Sequence, residues 1–256
     1  MVYLSAALPL YLAVPVVALL TVALGFVIEK IAYKPLRSAP RMSVMISAIG
    51  VSYLLQNLAL YVTGGLNKTY PTIPWISDQV DLFGATTKRV TLITPVLTII
   101  LVILLVQLIN HTKVGMAMRA VAKDFETSQL MGIKINNVIS VTFIIGSFLA
   151  AVGSMLYFSN YPGVVPTSGA MPGLKAFVAA VFGGIGSIPG AVIGAFIIGV
   201  FESLIKGLDT ILTTFHIIQS PLELSTFSDA FTFVLLIVIL VFKPTGLFGE
   251  KATDKV

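Results

Sequence analysis

The stretch RAVAKDFETSQLMGI, Arg119–Ile133, is a short hydrophilic island between two long apolar stretches. The island is charged and compatible with a helix, whereas Val90–Asn110 before it and Val138–Phe158 after it carry no charged side chain. A helix needs roughly 20 apolar residues to cross a hydrocarbon core of about 30 Å. Both flanking stretches reach that length, so the fold is decided by membrane-crossing segments and the loops that join them.

The composition of the whole chain agrees with this interpretation. Of 256 residues, 57% are hydrophobic and 11% are charged, and the mean hydropathy is +0.99. Soluble domains carry about 25% charged residues. The sequence therefore predicts an all-α, polytopic integral membrane helical bundle with a single transmembrane domain over residues 1–256. Its charge-free runs are Met1–Ile28, Met42–Asn67, Ile135–Leu174 and Ala176–Phe201.

Several function classes are excluded by what the sequence contains. The net charge is +5, but the Lys and Arg residues lie in loops, as in membrane proteins, and not in a basic groove for nucleic acid. There is no cysteine, and the only histidines are His111 and His216, so no metal site is predicted. No phosphate-binding loop and no hydrolase motif is present. We therefore expect no cofactor and no catalytic activity in this chain.

The apolar runs predict the membrane topology. Two Gly-rich segments, 174–188 and 190–204, are too short for upright crossings, because fifteen helical residues reach only about 22 Å. They are interpreted as a short pair, either a re-entrant hairpin or two tilted crossings. The predicted full spans are 5–28, 42–62, 90–110, 138–158 and 227–243.

The positions of the cations predict the orientation. Segments 29–41 and 111–136 and the tail after Phe242 hold eleven of the 16 Lys and Arg residues, which places them in the cytoplasm by the positive-inside rule. The first span then runs inward. We expect either that the chain lacks an upstream segment with an odd number of crossings or that its N-terminus inserts outward.

The island has the signals of a short helix. Asp124 is a candidate N-cap, Thr127 and Ser128 lie in the first turn, and Gly132 is a candidate stop. Val121, Phe125 and Leu130 are expected on one apolar side. The residues alone leave two interpretations open, a coupling helix that docks into a partner ATPase and an ordinary interfacial helix.

The Gly-rich pair also leaves two interpretations open. Gly186, Gly190 and Gly194 recur at every fourth position, a spacing that lets helices approach closely. The break at Gly183–Pro189 is of the kind that lines transport pathways. The segment is therefore predicted either to shape the translocation path or to pack helices. The ionisable residues Glu202, Lys206 and Asp229 are either functional or interfacial.

Several motifs occur together and in order along the chain. They closely resemble the permease subunit of branched-chain amino acid ABC importers of the high-affinity leucine/isoleucine/valine type. That family usually begins with a further hydrophobic segment and a motif of the Asn-Phe-Ala-His-Gly type, and neither is seen here. Thr127 and Ser128 also replace a small apolar pair. The matching stretches are EKIAYKPLR (29–37), SAIGVSYLLQN (47–57), RAVAKD (119–124), LMGI (130–133), GLKAFVAAVFGGIGSIPGAVIG (173–194) and KPTGLFG (243–249).

The resemblance implies a function and a set of partners. It implies alternating access in the inner membrane of a bacterial or archaeal cell, with a second permease (a paralogue), two cytoplasmic ATPases and an external substrate-binding protein. The coupling loop would lie within 111–136, at Arg119, Ala122, Asp124, Leu130, Gly132 and Ile133. The path, gate or packing residues would be Gly183, Gly184, Gly186, Ser187, Pro189, Gly190 and Gly194.

Two alternatives stay open at this point. An ATP-independent secondary transporter or channel for small solutes would work without ATPase partners and favours a charged residue in the middle of a span. A membrane assembly subunit would have no path of its own.

Overall fold

The computed structural model describes residues 2–3, 9–37, 39–71, 78–82, 85–184, 186–214, 227–243 and 245–249. The chain forms two compact units, Met1–Thr167 and Ser168–Val256. The stretches outside the described residues include residues 5–8 of the predicted first span, residues 72–77 between the second and third predicted spans, and the tail from 250 onward.

The described residues of the first unit form four long helices and two short ones. The long helices match the predicted spans to within a few residues over the described part. The helix Arg41–Thr63 ends because Gly64, the residue after it, adopts a left-handed conformation (φ +71°) that terminates a helix. The helices are α1 (Leu10–Ile28), α2 (Arg41–Thr63), α3 (Arg89–His111), α4 (Lys113–Lys123), α5 (Phe125–Leu130) and α6 (Ile135–Asn160).

Between α1 and α2 the backbone departs from α-helical geometry. A π-helical segment, Glu29–Tyr33, continues directly from α1, and a 3-10 turn, Lys34–Leu36, follows it. The sequence prediction treated this region as a simple basic loop. The structure instead extends the first apolar span through Leu36.

Loops meet at two opposite ends of the first unit. At one end, strand β1 (Lys68–Thr69) pairs antiparallel with β4 (Gly163–Val164). Strands β2 (Gln79–Leu82) and β3 (Ala85–Lys88), also antiparallel, lie in the same connection between α2 and α3. At the other end, Arg37 donates a hydrogen bond to Asn136 at the start of α6. The segments 29–37 and 134–136 therefore lie at one end of this unit, as their shared excess of cations predicted.

Close approach of α1 to α6 holds the first unit together. A Cβ added at Gly25 would overlap the Ser147 side chain, so the absence of a side chain allows the contact. Tyr33 of the π-helical segment packs on Phe143 with ring centroids 5.1 Å apart. In lipid, where burial of apolar surface between helices brings little gain, such close packing is the main attraction between helices.

The described residues of the second unit form α7 (Ala170–Gly183), α8 (Ile188–Thr214) and α9 (Ser228–Phe242). Its core cluster is formed by Val178, Ala179, Phe182 and Ile198. At 14 residues, α7 is short, as predicted. The expected short second arm ending at 204 is wrong, because α8 runs for 27 residues.

The continuation of α8 past the predicted end has a physical cause. The predicted arm ended at Leu204, between the charged residues Glu202 and Lys206. In the structure Glu202 pairs with Lys206 one turn later, at 2.5 Å, and such pairs at i and i+4 support a helix. Charges that neutralise each other in this way do not end an apolar helix.

Five helices in the described part of the chain are long and apolar enough to cross a membrane. They are the α1 segment, α2, α3, α6 and the stretch Ile188–Leu208 of α8, while α7 and α9 are shorter apolar helices. The predicted all-α polytopic membrane fold is confirmed. A re-entrant arrangement of α7 and α8, and a single domain over the whole chain, stay predictions.

Candidate functional site

The predicted island is built from α4 and α5, which we call the coupling element (Lys113–Ile133). Thr112 caps α4, since its Oγ1 accepts a hydrogen bond of 3.0 Å from the Gly115 N–H. A Cβ at Gly115 would overlap the backbone of Ile109. Glycine is therefore required where α4 folds back against the end of α3.

Arg119 connects α4 to the end of α3 through hydrogen bonds. Its guanidinium donates hydrogen bonds to Asn110 Oδ1 at 3.3 Å and to the Asn110 carbonyl at 3.4 Å. That carbonyl is among the last of α3, where backbone acceptors lack intrahelical partners. The predicted site residue Arg119 thus caps one helix from the next.

Asp124 separates the two short helices and starts the second. Its extended backbone ends α4, and its Oδ1 accepts a hydrogen bond of 3.1 Å from the Thr127 N–H, which makes it the N-cap of α5. Gly132 follows α5 with φ +80°. The predicted cap and stop are therefore confirmed. The structure divides the expected apolar side between two helices, with Val121 in α4 and Phe125 and Leu130 in α5.

The coupling element has a groove and an apolar tip. At the tip, the Leu130 side chain is 87% exposed and Met131 is 79% exposed, and Ala122 is also exposed. Ser128 is buried on the groove side. The groove has a volume of about 460 Å³ and is lined by Lys113, Met116, Ala117, Ala120, Asp124, Thr127, Ser128, Met131 and Ile133.

A second cavity, of about 540 Å³, adjoins the coupling element on the side of α6. It is more polar than the groove, and one of its cations, Arg37, forms an ion pair with the buried Glu29. Sequence reasoning did not single out this pair, because eight residues separate its members. The cavity is lined by Arg37, Phe125, Gln129, Ile133, Lys134, Ile135, Asn136 and Asn137.

In the second unit, the predicted glycines divide into two groups. A Cβ at Gly190 would lie 2.5 Å from the Gly183 carbonyl oxygen, and one at Gly194 would lie 2.6 Å from the Ala179 carbonyl oxygen. These glycines form a contact between the backbones of α7 and α8. Gly186 precedes α8, has φ +101° and would have open space around a Cβ. The sequence predicted that Gly186, Gly190 and Gly194 form one row of glycines (a glycine ladder) along a helix contact. This prediction is wrong at Gly186, which lies in the turn before α8.

The start of α8 follows ordinary capping chemistry. Ser187 Oγ accepts a hydrogen bond of 3.1 Å from the Gly190 N–H, as an N-cap does. Pro189 lies in the first turn, where a missing N–H costs nothing. Gly184 has φ +109°, and a Cβ there would overlap the backbone at Gly249.

The segment after α9 completes the end of α7, and sequence reasoning did not assign it a role. Leu247 N–H donates to the Phe182 carbonyl and Phe248 N–H to the Gly183 carbonyl, each at 2.9 Å. These bonds satisfy acceptors at the end of α7. Gly246 has φ +77° and lies so close that a Cβ would come within 2.6 Å of the Val181 carbonyl oxygen.

Glu202, Lys206 and Asp229, the three ionisable residues noted in the sequence, belong to one cluster. A fourth residue, Lys175, which the sequence analysis did not identify, joins them. Lys175 of α7 pairs with Glu202 of α8 at 2.9 Å and with Asp229 of α9 at 2.7 Å. Lys206 pairs with the other Glu202 oxygen. Two cations and two carboxylates thus neutralise one another among three helices. Across the described residues, no group of three or more His, Cys, Asp or Glu side chains could hold a metal ion.

Comparisons with known proteins identify a family whose members are similar to this chain in sequence. A family model described as "Branched-chain amino acid transport system / permease component" matches residues 1–240. The high-affinity branched-chain amino acid transport system permease protein LivH of Escherichia coli is 37% identical over 238 residues, which are 91% of this chain and 72% of that protein. The corresponding BraD protein of Pseudomonas aeruginosa is 36% identical over 241 residues, 93% of this chain and 74% of that protein.

A more distant relative extends the range of organisms. A probable branched-chain amino acid transport permease protein of Methanocaldococcus jannaschii is 27% identical over 247 residues, 93% of this chain and 74% of that protein. No solved structure gives a significant match. Five helices among the described residues are long and apolar enough to cross a membrane, and the relatives are bacterial and archaeal, so the chain is a multi-pass protein of the cell membrane. By its match to the family model over most of its length, it belongs to the family of branched-chain amino acid transport system permease components.

Proposed function

We propose that this chain is the permease subunit of an ABC importer that moves branched-chain amino acids into the cell. Family membership and the names of its relatives support that substrate class. ATP would be hydrolysed by separate subunits, because the sequence contains no phosphate-binding loop of its own.

The coupling element is the proposed docking site for an ATPase, and its apolar tip is the observation that carries the proposal. Leu130 is the last residue of the capped helix α5 and Met131 follows it, at the same end of the first unit as the basic segment 29–37. Large apolar side chains that protrude from a charged, loop-bearing end fit insertion into a groove on a partner. Lipid alone would favour apolar residues spread along one helix face.

The remaining subunits follow from the family. A second permease, a paralogue by the resemblance, would share the translocation path, two ATPases would bind on the cytoplasmic side, and an external protein would deliver the amino acid. The glycines from Gly183 to Gly194 would let α7 and α8 move as one packed pair during alternating access.

A single-cysteine crosslink tests the docking site. Because the sequence contains no cysteine, the introduced residue is the one position of this chain that can react. Leu130→Cys is introduced, the ATPase subunits are co-expressed, and crosslinking is measured in membranes with and without ATP. We expect a crosslink to an ATPase whose yield changes with ATP.

The matched control is Leu66→Cys. Leu66 is 69% exposed and follows the far end of α2, so the proposal expects no crosslink there. Equal crosslinking from both positions, or none from Leu130→Cys in an inserted complex, would contradict the docking site.

The alternative of an ATP-independent transporter has one observation in its favour, the charges gathered at Lys175, Glu202 and Asp229. Glu202 lies within an apolar span, where charges often mark ion-coupled transport. This alternative expects leucine uptake into vesicles that contain no ATP and no ATPase. The ABC proposal expects none.

A further inference from the structure

Glu29 is a fully buried carboxylate at the point where α1 leaves regular helical geometry. Its side chain is 0% exposed and forms an ion pair with Arg37. Its second oxygen accepts a hydrogen bond of 2.9 Å from Ser140 Oγ, and Arg37 also donates to Asn136 Oδ1. We call these four side chains the Glu29 cluster. A buried ion pair rarely stabilises a fold more than apolar packing would, so stability alone does not account for it.

The backbone around the cluster is built to bring its members together. In a continuous α-helix the Cα atoms of Glu29 and Arg37 would be about 12 Å apart along the axis. The π-helical segment Glu29–Tyr33 and the 3-10 turn Lys34–Leu36 redirect the chain so that Arg37 returns to Glu29. Departures of this kind inside a helix often mark functional sites.

The Glu29 cluster borders the coupling element. The 540 Å³ cavity is lined by Arg37 and Asn136 from the cluster and by Phe125 and Gln129 from α5. A hydrogen bond of 3.1 Å from the Ile133 N–H to the Ser128 carbonyl connects α5 to the residues before α6. The cluster therefore connects Glu29, which directly follows α1, with Asn136 and Ser140 of α6, and its Arg37 lines the same cavity as Phe125 and Gln129 of α5.

We propose that the Glu29 cluster is the linkage through which a displacement of α5 moves α1 and α6 together. This inference rests on the proposed ATP-driven function, in which α5 receives the motion. Glu29 and Arg37 are then positioning residues that touch no substrate. A charged, hydrogen-bonded linkage suits this task, because its directional bonds fix α1 against α6.

The test compares uptake with ATP hydrolysis in the complete complex. The chain, its partner permease and the ATPases are placed in proteoliposomes with the binding protein, and leucine uptake per ATP hydrolysed is measured. Glu29→Gln and Arg37→Gln should lower this ratio by about tenfold or more, within the range of about 5- to 150-fold typical of coupling between sites. ATP hydrolysis itself should continue.

Two further variants separate the linkage from a role in stability. Exchanging the partners, Glu29→Arg with Arg37→Glu, should restore part of the ratio, because the pair is re-formed. Asp78→Asn breaks the exposed Asp78–Arg89 pair (3.4 Å) in the connection that leads into α3, and it should leave the ratio unchanged because exposed pairs contribute little.

A third variant removes no charge and therefore tests the linkage even if the Glu29 and Arg37 variants fail to fold. Asn136 is exposed, so Asn136→Ala removes one acceptor from Arg37 without burying an unpaired charge, and the ratio should fall about threefold, the factor that loss of one ordinary hydrogen bond represents. An unchanged ratio in Asn136→Ala and in both Gln variants would overturn the linkage. So would parallel loss of uptake, hydrolysis and subunit assembly, which would make the cluster purely structural. If the wild-type complex shows no ATP-driven uptake, the proposed function itself fails.

Discussion

The coupling element stands out in the sequence by its charges and the packed helices α7 and α8, here called the hairpin, by their glycines, and the two regions are held together in different ways. In the coupling element, side chains such as Asp124 and Arg119 hydrogen-bond to backbone groups at helix ends. In the hairpin, backbones meet directly at Gly190 and Gly194. The first arrangement depends on bonds worth about 1 kcal/mol each, whereas the second depends on the absence of any Cβ.

The largest effect is expected from Gly190→Leu. Its Cβ would lie 2.5 Å from the Gly183 carbonyl oxygen, a backbone atom that cannot move aside like a side chain. Overpacking of this kind costs about 1–3 kcal/mol, and occasionally more. We expect leucine uptake to be abolished, as measured in cells with expression checked by immunoblot.

Gly199→Leu is the matched control, because Gly199 lies on the same helix and a Cβ there would meet nothing within 4 Å. It should retain most of the uptake. Normal uptake in Gly190→Leu would refute the close backbone contact, and equal loss in both variants would point to a general effect on α8.

Features set by neighbouring residues could be predicted from the sequence. The long helices followed from charge-free runs, because the membrane core excludes charges over a fixed length. The cap at Asp124 and the stop at Gly132 followed from side chains that bond within one turn and from the left-handed conformation that glycine allows. These signals need no knowledge of what packs against them.

Features that depend on distant residues could not be predicted. The pairing of Lys175 with both Glu202 and Asp229 requires three helices to meet. The π-helical segment Glu29–Tyr33 brings Glu29 against residues of α6 that lie more than a hundred positions later. Gly186 looked like a member of the ladder because spacing alone does not show where α8 begins.

An intermediate effect is expected from Asp124→Ala, which removes the N-cap of α5. Such a loss costs about 1 kcal/mol, and a helix of six residues has little propensity of its own to offset it, since isolated helices under about 12 residues are marginal. The ATP-dependent crosslink from Leu130→Cys and leucine uptake should both fall about fivefold, the factor that 1 kcal/mol represents. Asp124→Asn, which also caps well, should restore both, and failure to restore them would mean that the charge matters and not the cap.

The smallest effect is expected from Ser187→Ala, although it removes the same kind of cap. Ser187 Oγ bonds the Gly190 N–H at the start of α8, so the local cost should again be about 1 kcal/mol. However, α8 has 27 residues and is packed against α7 through Gly190 and Gly194, so fraying of its first turn leaves the backbone contact in place. Uptake should change by less than about twofold. A loss as large as that of Asp124→Ala would mean that the hairpin, like the coupling element, depends on its cap, and the contrast between the two regions would no longer hold.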